Sequence, residues 1–324
     1  MDKYLLVSHD NHNPYFNLAQ DEYLLKEKDG FYICFWINSP AVIVGANQNT
    51  LQEVNLSYTQ NNGIKVVRRL TGGGAVYHDL NNICYTVIGP YDSGIDNYKR
   101  FTTPIINYLK TLGVDAEFAG RNDILVNGRK VSGNAQTVYG DRILHHGTLL
   151  FKTDVDVLTN ALKANKLKME SKGIKSVRAR VANIYDLLPE KMTTQEFLYG
   201  LLEFFRLTCE DYTLTEDDIE GITALAEQKY STFEWNIGRS PKGNNRFDGR
   251  FKFGTLTITF DTVDGKIENA EIFGDFFSQK DVSILANNLN GVNFSYQNVL
   301  DALKEVDEYI SGANAKEITD KIFS

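Results

Sequence analysis

The first half of the chain is dominated by short apolar runs bounded by turn residues. Runs of this length, rich in β-branched and aromatic side chains, predict β-strands. They lie at residues 4–8, 31–38, 41–45, 64–70, 83–89 and 142–151. The pattern therefore predicts a sheet in this half of the chain.

Helical spacing of apolar residues predicts helices between and after these strands. The Asn13-Pro14 pair starts one helix, which continues to about Lys28 and ends at Gly30. A second covers residues 97–112. Further helices are predicted at 154–163, 194–208, 215–229, 279–290 and 295–310.

Two tight turns join alternating strands into predicted hairpins. The Asn127-Gly128 pair lies within residues 123–133, and the Asp264-Gly265 pair lies in an alternating run nearer the C-terminus. Asn-Gly and Asp-Gly pairs tolerate the positive φ angles of a type I′ turn. Each pair therefore marks the connection between two antiparallel strands.

A polar, turn-rich stretch at residues 240–250 separates two regions of different composition. Such stretches are typical of domain boundaries, and 324 residues are more than one average core needs. We therefore expect an N-terminal α+β domain over residues 1–245. A small C-terminal α+β domain, a hairpin with helices, would cover residues 246–324.

Charge and apolar content exclude several classes of partner. The net charge of −8 argues against non-specific nucleic-acid binding, which needs a basic surface. No stretch approaches the ~20 apolar residues of a membrane span, and the N-terminal apolar run is too short for a signal peptide. Cys34, Cys84 and Cys209 are widely spaced and indicate neither a disulfide framework nor a zinc site. We expect a cytoplasmic protein without membrane or nucleic-acid partners.

The first candidate for chemistry is the segment RRLTGGGAVYHD at residues 68–79. Glycines lack Cβ atoms, so the backbone N–H groups of 72–74 can approach an anion closely. Arg68 and Arg69 add forked positive charge that suits a carboxylate or phosphate. The segment is neither a Walker A loop nor a dinucleotide-binding glycine motif. Judged alone, a glycine run is more typical of a flexible surface turn.

The second candidate is Lys130, which follows the first tight turn. Strand alternation predicts that Lys130, Ser132 and Asn134 share one face and that Gly133 lies on the other. A lysine there could hold its ammonium beside a phosphate. Judged alone, most lysines in such positions are simply exposed strand residues.

Two further segments carry polar side chains of interest. His145 and His146 are adjacent in a predicted strand, so they should point to opposite faces and cannot easily bind one metal ion. His146 could face a pocket, or could form a hydrogen bond at a strand edge. Residues 170–183 are basic within an acidic chain and could close over a phosphate-containing intermediate, although a charge run is more often a solvated loop.

The order and spacing of these segments resemble one family. RRLTGGGAVYHDLNN, GRNDILVNGRKVSGNAQ, HHGTLLF and KGIKSVRARVANI follow one another as in the lipoate–protein ligase A family. The resemblance covers about residues 15–190, with Thr71 in place of a common serine and Ala179 interrupting the SVRSRV pattern. It implies a biotin/lipoate ligase fold, in which a mixed sheet is flanked by helices, followed by a small accessory domain.

The resemblance also implies the reaction and its partners. Lipoate and MgATP would give lipoyl-AMP and pyrophosphate, and an acceptor lysine would then take the lipoyl group and release AMP. The expected acceptors are the lipoyl domains of 2-oxoacid dehydrogenase E2 chains and the glycine-cleavage H protein. We expect a monomer that salvages lipoate, and the metal ligands stay open.

Site residues follow from the same resemblance. Lys130 is the expected catalytic residue, because it can neutralise the two anions that meet when the lipoate carboxylate attacks the α-phosphate. The residues expected to bind ATP are Arg69, Gly74, Ala75, Val76, Tyr77, Asp123, Lys130 and Arg178. Those expected to bind lipoate are Arg69, Gly73, Gly74, His78, Lys130, Gly133 and His146.

Three other functions fit the same fold. An ATP-independent octanoyl or lipoyl transferase would use an activated cysteine, but HHGTLLF contains none, and Cys34 and Cys84 are expected to be buried. A biotin ligase would carry a GRGR phosphate loop, which is missing. A non-catalytic lipoate-binding protein would not need Arg69, the glycine run and Lys130. These observations favour the ligase.

Overall fold

The computed structural model describes residues 3–162, 180–238 and 244–323. The chain divides into two compact units. The first comprises Met1–Ile43, Asn55–Val67 and Val76–Thr232, and the second comprises Val44–Val54, Arg68–Ala75 and Phe233–Ser324. The second unit thus includes two short segments from the N-terminal half. The division at 245/246 stays a prediction.

The strands of the N-terminal two thirds form a large sheet and a small one. In chain order they are β1 (Leu5–Ser8), β2 (Tyr32–Ile37), β3 (Ala41–Val44), β4 (Lys65–Arg68), β5 (Val76–His78), β6 (Asn82–Pro90), β7 (Ala116–Ala119), β8 (Asp123–Val126), β9 (Arg129–Tyr139), β10 (Arg142–Leu150) and β11 (Glu210–Asp211). Within the described residues, the large sheet has the order β11-β1-β2-β6-β10-β9-β8-β7 and the small one the order β4-β3-β5. β1 runs parallel to β2 and β11, whereas β6, β8, β9 and β10 pair antiparallel with their neighbours, so the large sheet is mixed.

Helices cover both faces of the large sheet. Up to residue 225 they are α1 (Pro14–Lys26), α2 (Thr50–Glu53), α3 (Leu56–Asn61), α4 (Asn97–Thr111), α5 (Val155–Ala161), α6 (Ile184–Leu187), α7 (Thr194–Arg206) and α8 (Glu216–Leu225). On one face, α4 and α7 share a core with β2 and β6 through side chains such as Phe35, Tyr85, Phe101 and Phe205. On the other face, α1 packs against β6, β10 and α8.

Each of the six predicted apolar runs contains a strand, and the turn of the first hairpin is confirmed. Asn127 and Gly128 have φ angles of 51° and 72°, so both central residues are left-handed. Cys34 and Cys84 lie in the core of the large sheet, as expected from their apolar neighbours. Local turn chemistry and apolar periodicity therefore predicted these elements correctly.

The C-terminal part of the second unit is a three-stranded antiparallel sheet with short helices. Its strands are β12 (Asn245–Phe251), β13 (Gly254–Val263) and β14 (Lys266–Gly274), in that spatial order. Its helices are α9 (Val282–Asn287), α10 (Tyr296–Ala302), α11 (Val306–Tyr309) and α12 (Ala315–Ile322). A separate apolar core includes Leu256, Phe276, Leu285 and Ile310.

The elements of this region differ in detail from those that the sequence pattern predicts. From residue 245 the polar, turn-rich stretch is strand β12, which pairs only with β13 among the described strands and keeps most of its side chains exposed. Such an edge strand can stay polar because few of its positions face the core. The single helix expected at 295–310 is divided into α10 and α11, and the sequence pattern did not predict α12.

A buried polar cluster around His145 lies on the face of the large sheet that α4 covers. The imidazole is fully buried beside Tyr98 and Phe101 of α4. Its ring nitrogens lie 2.8 Å from Gln136 Nε2 and 3.2 Å from Asn134 Oδ1. Burial, with a smaller contribution from His146, lowers the pKa of His145 to about 3. The side chain is therefore neutral at pH 7.

We predict that this buried imidazole makes the fold less stable as the pH falls. The unfolded chain takes up a proton near the ordinary histidine pKa of ~6.5, whereas the folded ring stays neutral down to about pH 3. Because the unfolded state binds more protons, the free energy of unfolding should fall by up to about 1.4 kcal/mol per pH unit below pH 6.5. Urea unfolding between pH 7.5 and pH 5 measures this slope.

The His145→Gln variant should lose this contribution to the slope. The His12→Gln variant, which changes a half-buried histidine before α1, serves as the control and should keep it. Equal slopes in wild type and His145→Gln would contradict the prediction.

Candidate active site

Arg69 shapes the glycine-rich segment of the second unit. Its Nε donates a hydrogen bond to Thr71 Oγ1 at 3.0 Å, and its Nη2 donates to the carbonyl oxygens of Gly72 at 2.6 Å and Gly74 at 3.0 Å. The residue is only 6% exposed. Arg69 therefore lies across its own loop and fixes the path of the backbone.

The three glycines of this loop differ in what a side chain at each position would meet. A Cβ atom on Gly72 would lie 2.4 Å from the carbonyl oxygen of Phe276, and Gly73 has a φ of 91°. Both positions therefore need glycine for the fold itself. Gly74 differs, because no atom of the described residues, its chain neighbours aside, lies within 4 Å of its Cβ position. Its open side leaves room for an incoming group.

Arg68 has a different role from the one expected of it. It is fully buried and donates to the carbonyl oxygens of Gly45, Gln48 and Trp235 and to Thr50 Oγ1. The expectation that both arginines offer charge to an anion is wrong for Arg68. A buried guanidinium that bonds to backbone carbonyls holds segments of the second unit together.

Strand β5 carries three of the predicted residues. Val76 is half-buried, Tyr77 is buried, and burial raises the pKa of Tyr77 to about 12. His78 is also buried, with its Nδ1 lying 3.0 Å from Asn38 Nδ2 and 3.4 Å from Cys84 Sγ. Asn38 and Cys84 of the first unit thus hold the His78 ring, and Tyr77 is buried beside it in the chain.

Lys130 forms an ion pair with Asp123 in the first unit. The Lys130 Nζ lies 2.7 Å from Asp123 Oδ1, and each side chain is 34% exposed. Asp123 begins β8 and Lys130 is the second residue of β9, so the tight turn between these strands brings the two residues together. The structure therefore holds a partly exposed ammonium at a defined point beside a carboxylate.

A β-bulge changes the predicted alternation around Lys130. The register with β8 shifts here and leaves Val131 as the extra residue, so Val131 and Ser132 are both buried. The Lys130 side chain lies over Gly133, where a Cβ atom would be 2.7 Å from both its Cε and its Nζ. The prediction that Lys130 and Gly133 occupy opposite faces is therefore wrong, and the missing side chain at Gly133 makes room for the lysine.

His146 lies on the opposite face of the sheet from His145, as predicted. Its Nδ1 is 3.0 Å from Asp21 Oδ2 on α1, and both residues are buried. β10 lies between β6 and β9, so His146 is in the interior of the sheet and not at its edge. Across the ranges described, no group of three or more His, Cys, Asp or Glu residues could hold a metal ion.

The basic segment at 170–183 is described only from residue 180, so Arg178 lies outside the described residues. The described end of this segment contacts Lys130. The Ala182 N–H donates to the Lys130 carbonyl oxygen at 2.8 Å, and Val181 forms a parallel bridge with Lys130. The C-terminal end of the basic segment is therefore anchored on the strand that carries the lysine.

The sequence did not indicate two buried polar residues near these side chains. Asp21 lies in α1, where polar and apolar residues are buried together. The sequence of this helix therefore shows no clear amphipathic pattern from which the burial of Asp21 could be predicted. Asn134 belongs to the NAQ part of a quoted motif and was assigned only a strand face. The available signal for Asn134 was a polar residue within a strand whose neighbours in the sheet, β8 and β10, are largely apolar.

The described cysteines are buried or half-buried, which bears on their reactivity. Cys34 and Cys84 are buried, and burial raises the pKa of each thiol well above its usual range. Burial also raises the pKa of the half-buried Cys209. None of the described helices combines the length and apolar character needed to cross a membrane.

Two family models match this chain. Residues 13–206 match the lipoyl protein ligase A/B catalytic domain, and residues 240–322 match the bacterial lipoate protein ligase C-terminus. Together they leave only short segments of the chain unmatched.

Curated relatives match over nearly the whole chain. "Lipoate-protein ligase LplJ" of Bacillus subtilis (strain 168) is 44% identical over 330 residues, covering 98% of this chain and 100% of the relative. "Lipoate--protein ligase 1" of Staphylococcus aureus (strain Mu50 / ATCC 700699) is 46% identical over 302 residues, covering 92% of each chain. Both names refer to the same activity.

Solved structures share the fold. The crystal structure of P. falciparum LipL1 with lipoate has a TM-score of 0.79 and 26% identity, covering 98% of this chain and 97% of that one. A bi-partite lipoate protein ligase from Thermoplasma acidophilum, described with its E2 lipoyl domain, has a TM-score of 0.65 and 32% identity, covering 76% and 100%. A lipoate-protein ligase A bound with ATP has a TM-score of 0.62 and 31% identity, covering 74% and 99%.

These similarities confirm the predicted fold of a mixed sheet with helices and a C-terminal domain. The chain therefore belongs to the lipoate–protein ligase family and is an enzyme of the ligase class.

Proposed function

We propose that this ligase activates lipoate with ATP as lipoyl-AMP and then transfers the lipoyl group to a lysine of an acceptor protein. The observation that carries the proposal is the partly exposed Lys130 ammonium, held 2.7 Å from Asp123 on the β8–β9 hairpin. The relatives named lipoate–protein ligases, and the related structures with lipoate and with ATP, support the same reaction.

Lys130 is the catalytic residue of the proposal. In the first half-reaction, a lipoate carboxylate oxygen forms a bond to the α-phosphorus of ATP while the bond to pyrophosphate breaks. Two anions must meet, so positive charge between them stabilises the transition state. Asp123 orients the ammonium before substrates bind, and the hairpin limits its movement. No covalent intermediate on the enzyme is needed.

The glycine-rich segment is the proposed binding site for the nucleotide. The Gly73 N–H is bonded to the Phe276 carbonyl oxygen, so the open side of Gly74 is the part of the loop that suits close approach of ATP. Mg²⁺ would enter with the phosphates, since this ion usually keeps several waters and few protein ligands. The proposed ATP-binding residues are Arg69, Gly74, Ala75, Val76, Tyr77, Asp123, Lys130 and Arg178.

Lipoate needs a positive group for its carboxylate and buried surface for its chain. Each buried methylene contributes about 0.8 kcal/mol. His78 and His146 are buried, hydrogen-bonded side chains whose orientation is fixed by Asn38 and Asp21. The proposed lipoate-binding residues are Arg69, Gly73, Gly74, His78, Lys130, Gly133 and His146.

In the second half-reaction the neutral amine of an acceptor lysine attacks the acyl carbon, and AMP leaves. We propose E2 lipoyl domains and the glycine-cleavage H protein as acceptors. The Thermoplasma acidophilum ligase, described with its E2 lipoyl domain, supports the first. We further propose that the enzyme acts as a monomer in the cytoplasm. Residues 246–324 would serve as its accessory domain.

A transferase mechanism through a cysteine thioester is disfavoured by the state of the thiols. The reactive form is the thiolate, but burial raises the pKa of Cys34, Cys84 and Cys209. ATP activation therefore accounts for the reaction better than acyl transfer through a thiol.

The most direct experiment is a reaction of the purified enzyme with ATP and lipoate. Purified E2 lipoyl domains and H protein are offered separately, and mass spectrometry reads the product. A lipoyl adduct that requires ATP and releases pyrophosphate is expected on at least one acceptor. Modification that proceeds equally well from a lipoyl thioester or lipoyl-protein without ATP would overturn the proposal.

We predict that Lys130→Ala abolishes lipoate-dependent ATP–pyrophosphate exchange without unfolding the protein. The loss follows from removal of the ammonium that the proposal places between the two reacting anions. Exchange is measured with labelled pyrophosphate, and circular dichroism checks the fold. Lys110→Ala, which removes an exposed lysine near the end of α4, is the matched control and should keep wild-type exchange. Near-normal exchange in Lys130→Ala would refute the assignment.

We also predict that Gly74→Val raises the KM for ATP at least about tenfold while the melting temperature stays unchanged. A Cβ atom at position 74 meets no described atom within 4 Å, its chain neighbours aside, so stability should hold, but the valine side chain would occupy the side from which phosphate oxygens approach. Steady-state exchange at varied ATP, with a thermal melt of each protein, measures both quantities. An unchanged KM in the folded variant would count against ATP binding at this position.

A further inference from the structure

The Asn134 side chain occupies the centre of the buried polar cluster of the large sheet. Its Oδ1 accepts a hydrogen bond from the Tyr85 hydroxyl and lies 3.2 Å from His145 Nε2. Its Nδ2 donates to the Asn122 carbonyl oxygen at 3.0 Å and to Ser132 Oγ at 3.3 Å. An asparagine amide has two acceptor and two donor positions, so all four are used here, and the residue is only 3% exposed.

The neighbours of this amide set its orientation. Gln136 Nε2 lies 2.8 Å from His145 Nδ1, so the amide can donate to that ring nitrogen and leave Nε2–H to donate to Asn134 Oδ1. Burial raises the pKa of Tyr85, so its hydroxyl stays protonated and can donate. Two donors therefore face the amide oxygen, which leaves the amide nitrogen directed at Asn122.

Gly147 makes room for this arrangement. A Cβ atom at Gly147 would lie 2.1 Å from Asn134 Oδ1 and 2.6 Å from the Tyr85 ring. Any larger residue would therefore displace the amide or the tyrosine. The glycine of the HHGT segment is thus explained by a contact inside the first unit.

The amide is connected to Lys130 through the residue before Asp123. The Asn122 carbonyl accepts from both the backbone N–H and the side chain of Asn134, each at 3.0 Å, and Asn122 Nδ2 donates back to the Asn134 carbonyl at 2.6 Å. Asp123 follows directly and is ion-paired with Lys130. Three hydrogen bonds between two asparagines therefore fix the start of β8, from which Asp123 holds the lysine.

We propose that Asn134 is a positioning residue for the ligase reaction: it fixes the Asn122–Asp123 turn and, through Asp123, the Lys130 ammonium. The inference rests on the proposed catalytic role of Lys130. It assigns Asn134 no contact with substrate. Its effect is on geometry, and small displacements of a catalytic group can reduce rates by up to about 100-fold.

The test compares two substitutions of the same chemistry. Asn134→Asp replaces the side-chain donor to the Asn122 carbonyl with a carboxylate oxygen, so one of the three hydrogen bonds is lost and the turn should be held less firmly. Asn97→Asp is the matched control, because Asn97 is also buried and its Nδ2 also donates to the backbone. Its acceptors are the carbonyls of Asp92 and Ile95, whereas those of Asn134 are the Asn122 carbonyl and Ser132 Oγ. Both variants should melt at lower temperature than wild type.

Only the Asn134 variant should lose catalytic rate. In lipoate-dependent ATP–pyrophosphate exchange, well below both melting temperatures, we expect kcat to fall about 10- to 100-fold for Asn134→Asp, with the KM values for ATP and lipoate changing much less. For Asn97→Asp we expect kcat within about twofold of wild type, since mutations that only destabilise leave the folded fraction active. Equal kcat in the two variants would overturn the proposal.

A double-mutant cycle with Asp123→Asn tests the route. If Asn134 acts through Asp123, adding Asn134→Asp to Asp123→Asn should reduce kcat little further, because coupled residues are non-additive. Multiplicative losses would overturn the proposal. Should Asn134→Asp fail to fold, Tyr85→Phe removes one donor to the same amide instead. It should show a smaller loss of kcat that is likewise non-additive with Asp123→Asn. Full activity of Tyr85→Phe would overturn the proposal too.

Lys130→Ala separates this inference from the proposed function. Loss of exchange in Lys130→Ala with full activity in Asn134→Asp would refute only the positioning role. Retained exchange in Lys130→Ala would refute the assignment of the catalytic lysine itself.

Discussion

A lysine side chain lies over a glycine at a β-bulge, and the proposed chemistry depends on that arrangement. The extra residue Val131 turns Lys130 toward the face of Gly133, where the absence of a Cβ atom leaves space for the lysine chain. The same shift brings the ammonium to Asp123 at the start of the neighbouring strand. A regular hairpin would place the lysine on the other face. The bulge therefore decides which surface of the first unit carries the positive charge.

The surrounding motif residues support this arrangement without contacting it. Gly147 leaves space for Asn134, and Asn134 bonds to the residue that precedes Asp123. His145 is neutral because it is buried, so it can serve in the cluster without introducing a charge into the core. The adjacent His146 belongs to the other face and to Asp21. Two neighbouring histidines thus have separate environments because a strand alternates its side chains.

The sequence predicted elements whose cause is local. The Asn127-Gly128 turn, the six strand runs and the α4 helix each follow from a few neighbouring residues. It did not predict the bulge at Val131 or the burial of Arg68, because both depend on partners far along the chain. Strand β12 was missed because an edge strand can keep exposed, polar positions. The family resemblance supplied the reaction, which local patterns alone would have left open.

The second unit consists of segments that are far apart in the sequence, which affects how it folds during synthesis. The Gly73 N–H donates to the carbonyl oxygen of Phe276, and Gly72 lies against the same atom. During synthesis the glycine loop emerges from the ribosome some two hundred residues before this partner. A nascent chain can therefore complete the large sheet and its lysine hairpin while the glycine loop still lacks its final conformation. The glycine loop would therefore reach its final conformation only after Phe276 has been synthesised.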